Sequence, residues 1–220
     1  GPGGLTRSLL LEGADNIIAI EKDTRAISAL TELVTIASGK LILLNEDALK
    51  VSISIMGSSP RRIIANLPYN IATKLIINWL RTPTAFQSIT VMVQKEVAQR
   101  ICAEPKTSEY GRLSIITQWL AQPRILFDVP PSAFYPIPKV TSTLIEIIPR
   151  PEPLFLADRK TLEIITAFAF GQRRKMLRSS LKKIGGEYLL SATNIDPTKR
   201  PEELSIEDFC QLARVYATIN

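Results

Sequence analysis

Arg124-Ile125-Leu126-Phe127-Asp128-Val129, then a loop rich in prolines and aromatics, then Val140-Thr141-Ser142-Thr143-Leu144-Ile145-Glu146-Ile147-Ile148-Pro149, decides the architecture. Both runs read as extended, and no helix-length insert lies between them. Strands joined in this way pair antiparallel at one edge of a sheet. Upstream the pattern is different. Ile17-Ile18-Ala19-Ile20-Glu21 reads as a buried parallel strand ending in a carboxylate, and 24–37 as a mostly apolar helix. Lys40 to Asn45 reads as the next strand, Arg62 to Leu67 as another, and 71–81 as a helix with Ile71, Leu75, Trp79 and Leu80 inward. Ser88 to Gln94 is a further strand, and helices are predicted over 95–103 and 112–121 around a loop from Pro105 to Tyr110. Strand alternating with helix is the signature of a doubly wound parallel sheet.

Downstream, Pro149-Arg150-Pro151-Glu152-Pro153 continues neither strand nor helix and marks a boundary. Beyond it the reading is helical, over about 158–171, 172–184, 186–192 and 205–217. The expected division is therefore 1–150 and 151–220.

Composition narrows the chemistry. A chain of 220 residues with 45% apolar side chains buries a sizeable core. No apolar run reaches the roughly 18 residues that span a bilayer, and no signal peptide opens the chain. Cys102 and Cys210 imply no disulfide framework; they read as small buried side chains in a reducing compartment. There is no histidine, which excludes a Ser-His-Asp hydrolase, a His-ligated metal and a His base. No metal is expected. The net charge of +6 favours a polyanionic partner, although an anionic membrane surface would also attract it.

The apolar run Arg62-Ile63-Ile64-Ala65 ends in Asn66-Leu67-Pro68-Tyr69. The Asn66 amide oxygen and the Leu67 carbonyl both accept hydrogen bonds, and Tyr69 offers a ring on which a planar base can stack. Acceptors beside a stacking ring suit the exocyclic amine of adenine. They would localise its lone pair during attack on a methyl donor, and so stabilise charge that develops in the transition state. The alternative is a plain strand-to-turn transition.

Asn66-Leu67-Pro68-Tyr69-Asn70 resembles the catalytic motif of the ribosomal RNA small-subunit adenine N6-dimethyltransferase family, the KsgA type. Further segments match in order: Gly1-Pro2-Gly3-Gly4-Leu5-Thr6, Ala19-Ile20-Glu21-Lys22-Asp23, Asp47-Ala48-Leu49 and Gln94-Lys95-Glu96-Val97. Tyr110-Gly111-Arg112-Leu113-Ser114, Val129-Pro130-Pro131-Ser132-Ala133-Phe134, Tyr135-Pro136-Ile137-Pro138-Lys139-Val140 and Gln172-Arg173-Arg174-Lys175 follow. The resemblance runs from residue 1 to about residue 215. It implies a Rossmann-like class I methyltransferase sheet, parallel with an antiparallel edge hairpin, as the cofactor-binding catalytic domain, plus a small all-helical C-terminal RNA-binding domain. The family pattern has an apolar strand and a Glu-x-Gly-Pro ahead of the point where this chain begins, so the first strand is expected to be missing and cofactor binding weakened. Gly1-Pro2 also fits the scar of tag cleavage.

Strand ends locate the cofactor. Ligands bind beyond the carboxyl ends of parallel strands, where a carboxylate about 20 residues after the glycine turn takes ribose hydroxyls. Gly1 and Gly3 would form that turn and permit close backbone approach. The resemblance assigns Glu21 to the ribose, Asp47 and Ala48 to the adenine of S-adenosylmethionine, and adds Lys22 and Asn66 to the site. A helix N-cap or a solvated strand end is the other reading of Glu21 and Asp47.

For the substrate, prolines stiffen the loop carrying Phe134, which could sandwich a flipped adenine with Tyr69 or plug a core edge. Residues 172–183 hold six basic side chains and no acid. As one helix they would place Phe170, Leu177, Leu181 and Ile184 on a stripe, with Arg174, Lys175, Arg178 and Lys182 beside it. Such a row tracks phosphates or is merely solvated. Lys139 and Arg173 complete the expected RNA-binding set.

The resemblance implies dimethylation, with release of S-adenosylhomocysteine, of two adjacent adenosines in the hairpin loop near the 3′ end of small-subunit RNA. A monomer acting on assembling subunits in the bacterial cytoplasm is expected, with an organelle matrix as the other location. Alternatives are the erythromycin-resistance type acting on large-subunit RNA, a mitochondrial transcription-factor offshoot, a non-enzymatic assembly factor and a nicotinamide-dependent oxidoreductase.

Overall fold

The computed structural model describes residues 1–219. A first helix, α1 (Gly4–Leu11), precedes β1 (Ile17–Glu21), α2 (Thr24–Ile36) and β2 (Leu41–Asn45). Then follow β3 (Arg62–Asn66), α3 (Tyr69–Trp79), β4 (Ser88–Gln94), α4 (Lys95–Cys102) and α5 (Arg112–Leu120). The edge pair is β5 (Ala121–Val129) and β6 (Ser142–Pro149). The C-terminal part holds α6 (Arg159–Gly171), α7 (Leu177–Ser180), α8 (Gly186–Ala192) and α9 (Ile206–Thr218).

The strands lie in two sheets among the described residues. β1 and β2 pair in parallel, and a second sheet has the order β3-β4-β6-β5. β3 and β4 are parallel, whereas β6 runs antiparallel to both β4 and β5. The antiparallel edge pair is therefore present, but the doubly wound sheet expected from the alternation is divided between β1 and β3. β5 begins at Ala121, three residues earlier than its sequence pattern indicated, and runs through Pro123 opposite Ile147. Proline is tolerated there because β5 is an edge strand with one side unpaired. Its register shifts between Ile125 and Phe127.

Alternation explains the larger sheet. Along β4, Ile89, Val91 and Val93 are fully buried while the residues between them are half-buried, and Ile145 and Ile147 of β6 continue the same packed face. Each such side chain contributes roughly 1.5–3 kcal/mol on burial. Ala72, Leu75, Ile76 and Trp79 of α3 join this core, together with almost every side chain of α5. The same buried cluster continues without a break into Leu162, Ile165, Leu177, Leu189 and Phe209 of the C-terminal helices. The proline-rich junction is also tied down: Arg150 and Leu154 donate their backbone N–H groups to the Leu120 and Trp119 carbonyls. A smaller separate cluster, Leu30, Leu33, Ala37 and Leu41, lies under β1 and β2.

The basic segment departs from its predicted form. Residues 172–184 are not one helix: α6 stops at Gly171, the chain turns through Gln172 to Lys175, and α7 starts only after Met176. The reason is hydrogen bonding. The N–H groups of Leu177 and Arg178, which a continuous helix would direct back into itself, go to the carbonyls of Lys199 and Pro197. The apolar stripe survives the break, with Leu177 and Leu181 fully buried. Among the described residues no helix is long and apolar enough to cross a membrane. Both cysteines are free, and burial pushes each thiol up to about 11.

Candidate active site

Three strand ends carry the polar residues singled out in the sequence. β1 ends in Glu21, whose carboxylate accepts from the backbone N–H groups of Lys22 at 2.7 Å and Asp23 at 2.8 Å and from the α-ammonium of Gly1. Partial burial raises this carboxyl, but the Gly1 ammonium and the two N–H donors outweigh it, and its pKa lies below the ordinary value. Just past β2, Asp47 accepts from the Leu49 N–H and from Lys22 Nζ, each at 3.0 Å. The Leu49 donor first, then Lys22, lowers its pKa too. Asn45 locks the two ends together by donating its amide to the Glu21 carbonyl at 3.0 Å. Gly1, Glu21, Lys22, Asp47 and half-buried Ala48 thus gather at one end of the small sheet.

Neither carboxylate caps a helix. That role falls to Asp23, which accepts from the Arg25 N–H at the start of α2. Gly3 also meets a demand from within the chain. It is buried with φ +95°, and a Cβ there would lie 2.5 Å from Leu30 Cδ2. The left-handed backbone favours a glycine here, and a side chain would also displace the tip of Leu30.

β3 delivers Asn66 to the carboxyl end of the parallel β3–β4 pair of the larger sheet. Leu67 is buried and donates its N–H to the Met92 carbonyl at 3.3 Å, which fixes the strand end against β4. Pro68 caps α3, and its carbonyl accepts from Ile71 and Ala72. Among the described residues, the exposed Asn66 amide and the Leu67 carbonyl have no hydrogen-bond partner. They are two free acceptors in a row.

Tyr69 is anchored from behind. Its hydroxyl lies 2.7 Å from Ser142 Oγ, at the first residue of β6, where Gln94 of β4 and Val129 of β5 are both in register. The loop carrying Phe134 leaves β5 and returns to β6 at this point. A turn of 3-10 helix from Pro131 to Ala133 leads into Phe134, which is half-buried on extended backbone (φ −120°, ψ 152°). Asp128 pins the base of the loop: it accepts from Lys95 Nζ and from Thr143 Oγ1, both at 2.6 Å. These two donors, Lys95 foremost, lower its pKa. Tyr69 is thereby anchored where the loop carrying Phe134 begins and ends. Ser142, Thr143 and Asp128 escaped the sequence reading; two small polar residues opening an apolar strand were the available signal.

The basic residues divide. Arg173 is held by Glu202 at 2.8 Å and by the Thr107 carbonyl at 3.1 Å. Arg174, Lys175, Arg178, Lys182 and Lys139 are exposed.

An α/β sheet with an antiparallel edge pair, polar groups at its strand ends and appended helices is the Rossmann-like methyltransferase fold. Residues 1–218 match the family model described as ribosomal RNA adenine dimethylase. The chain belongs to that family. It is 54% identical to the ribosomal RNA small subunit methyltransferase A of Rhodospirillum rubrum, with 97% of this chain and 75% of that protein aligned. The protein of the same name from Paramagnetospirillum magneticum is also 54% identical, over 97% of this chain and 76% of its own length. Among solved structures, a dimethyladenosine transferase from Plasmodium falciparum superposes with a TM-score of 0.85 at 25% identity, covering 99% of this chain and 87% of that one. The 23S rRNA methyltransferase ErmE has a TM-score of 0.68 at 23% identity over 99% and 88%, a likeness of fold.

Proposed function

We propose that this chain transfers methyl groups from S-adenosylmethionine to N6 of two adjacent adenosines in the 3′-terminal hairpin loop of small-subunit ribosomal RNA, giving N6,N6-dimethyladenosines. The observation that carries the reading is the pair of unpartnered acceptors, Asn66 Oδ1 and the Leu67 carbonyl, beside an anchored Tyr69 ring. The relatives at 54% identity bear a small-subunit name, which favours that RNA over the large-subunit alternative.

The strand-end residues fit the cofactor by their chemistry. Glu21, whose pKa is lowered, would accept ribose hydroxyls, while Asp47 would accept the adenine amine beside Ala48. Gly1, Lys22 and Asn66 would complete the site. When bound, S-adenosylmethionine supplies a methyl group made electrophilic by its sulfonium. The chain's own part is positioning. Asn66 and Leu67 would accept the N6 hydrogens and turn the lone pair out of the ring, and Tyr69 and Phe134 would hold the flipped base by its faces. No side-chain base is needed, because the N6 proton becomes acidic once the new N–C bond forms and passes to water. A second methylation leaves one acceptor unused.

We assign catalysis to residues 1–150 and RNA docking to 151–220, with Arg174, Lys175, Arg178 and Lys182 on phosphates and Lys139 joining them from the catalytic part; Arg173 would serve by bracing that segment through Glu202. The substrate would be RNA within an assembling subunit, met by a monomer. The test is methyl incorporation from labelled S-adenosylmethionine into undermethylated small subunits, followed by nucleoside analysis. Asn66→Ala should lower turnover on the order of 100-fold, far more than it lowers cofactor affinity. Near-normal turnover, or product other than N6-methylated adenosine, overturns the assignment.

A further inference from the structure

Tyr135, directly after Phe134, is 99% exposed. A tyrosine ring left wholly in water has nothing within its own chain to pack against, so the position is unexplained by folding. The backbone at Phe134 is extended, which sends consecutive side chains to opposite sides, and Phe134 is half-buried where Tyr135 is not. Ile137 follows at 69% exposure, and Lys139 is exposed as well. Tyr135, Ile137 and Lys139, a ring, an aliphatic side chain and a cation, are all exposed along a segment stiffened by Pro136 and Pro138. The segment from Pro130 to Thr141 contains no acidic residue. An exposed flat ring with an exposed cation four residues on, in a stretch without negative charge, offers what a single-stranded nucleic acid recognises: a ring for a base and an amine for a phosphate.

We propose that Tyr135 is a second stacking platform, taking the nucleotide adjacent to the target adenosine in the RNA strand while Lys139 holds the intervening phosphate. The inference rests on the reading that Phe134 lies against the target base. Consecutive residues would then grip adjacent nucleotides, half-buried Phe134 on the inner side and exposed Tyr135 on the outer. Stacking is tolerant of base identity, so Tyr135 selects for an unstacked neighbour and not for a sequence. A substrate with two neighbouring adenosines suits this arrangement, because each base would be the neighbour while the other is methylated.

The test compares the full-length enzyme with Tyr135→Ala and Tyr135→Phe on two RNA hairpins, one with an intact nucleotide beside the target adenosine and one abasic at that neighbour. Tyr135→Ala should lose about tenfold or more in kcat/KM on the intact hairpin and change little on the abasic one. Tyr135→Phe should behave as wild type on both. Cofactor affinity, melting temperature and sedimentation should not move. Equal losses on the two hairpins, or none, overturn the proposal, as does a fall in melting temperature or a change in association state, which would make Tyr135 a packing or protein-contact residue. Methylation of the intact hairpin by wild type with no discrimination by Tyr135→Ala removes this proposal alone. Failure of wild type to methylate adenosine N6 removes the underlying reading as well.

Discussion

The Tyr69–Ser142 hydrogen bond gives the most demanding test of how the corner is built. The two hydroxyls are 2.7 Å apart, Ser142 is fully buried, and Tyr69 is half-buried. Among the described residues Ser142 Oγ has no other partner. A neutral hydrogen bond contributes about 0.5–1.5 kcal/mol net, whereas a buried hydroxyl stripped of its partner costs about 1–3 kcal/mol. Tyr69→Phe strands Ser142 and should cost about 1–2 kcal/mol. Ser142→Ala leaves a tyrosine hydroxyl that can still reach water, so it should cost less, about 0.5–1 kcal/mol. With both changed, no polar group is stranded, and the double variant should lose about 1 kcal/mol less than the sum of the single losses. Calorimetric unfolding reads this, at about 2–4 °C per kcal/mol for a chain of this size. In steady-state assays Tyr69→Phe keeps its stacking face but loses its anchor, so kcat/KM should fall several-fold and not collapse. Strictly additive stability losses would refute the claim that this bond fixes the ring.

Three further outcomes follow from the same geometry. Replacing Arg174, Lys175 and Arg178 with Gln should flatten the slope of log affinity against log salt by about 2–3, at roughly 0.7–0.9 per phosphate contact, with cofactor binding unaltered; an unchanged slope would place these residues away from phosphates. Phe134→Leu should lose about ten- to a hundredfold in kcat/KM through the missing π-face, whereas Phe134→Tyr should lose little; equal activity in the two, or a large drop in melting temperature for Leu, returns Phe134 to a packing role. Tyr110 is fully buried against Phe170, and its hydroxyl has no partner among the described residues. Tyr110→Phe should therefore cost no stability and raise the melting temperature by a few degrees, and a measured destabilisation would mean that the hydroxyl is satisfied after all.

What was legible in the sequence was local. Ile89, Val91 and Val93 announce β4 by a period of two, and the bare turn between Val129 and Val140 announces the antiparallel pair. Asn66 to Tyr69 stood out because a polar amide, a proline and an aromatic ending an apolar run need a reason. The failures share a physical cause: long-range hydrogen bonds outweigh local propensity. Residues 172–184 have the composition of an amphipathic helix, yet the carbonyls of Lys199 and Pro197 take the N–H groups of Leu177 and Arg178 and break it. Arg173 reads as one more phosphate ligand until Glu202, 29 residues on, claims it. Ser142 reads only as a small polar residue opening an apolar strand, since its meaning lies in Tyr69, 73 residues earlier. Each side chain of this kind has a partner, and the partner, more than the residue type, decides whether it is free to meet a substrate. That is why the two acceptors without partners, at Asn66 and Leu67, carry more weight for function than the many charges that have found theirs.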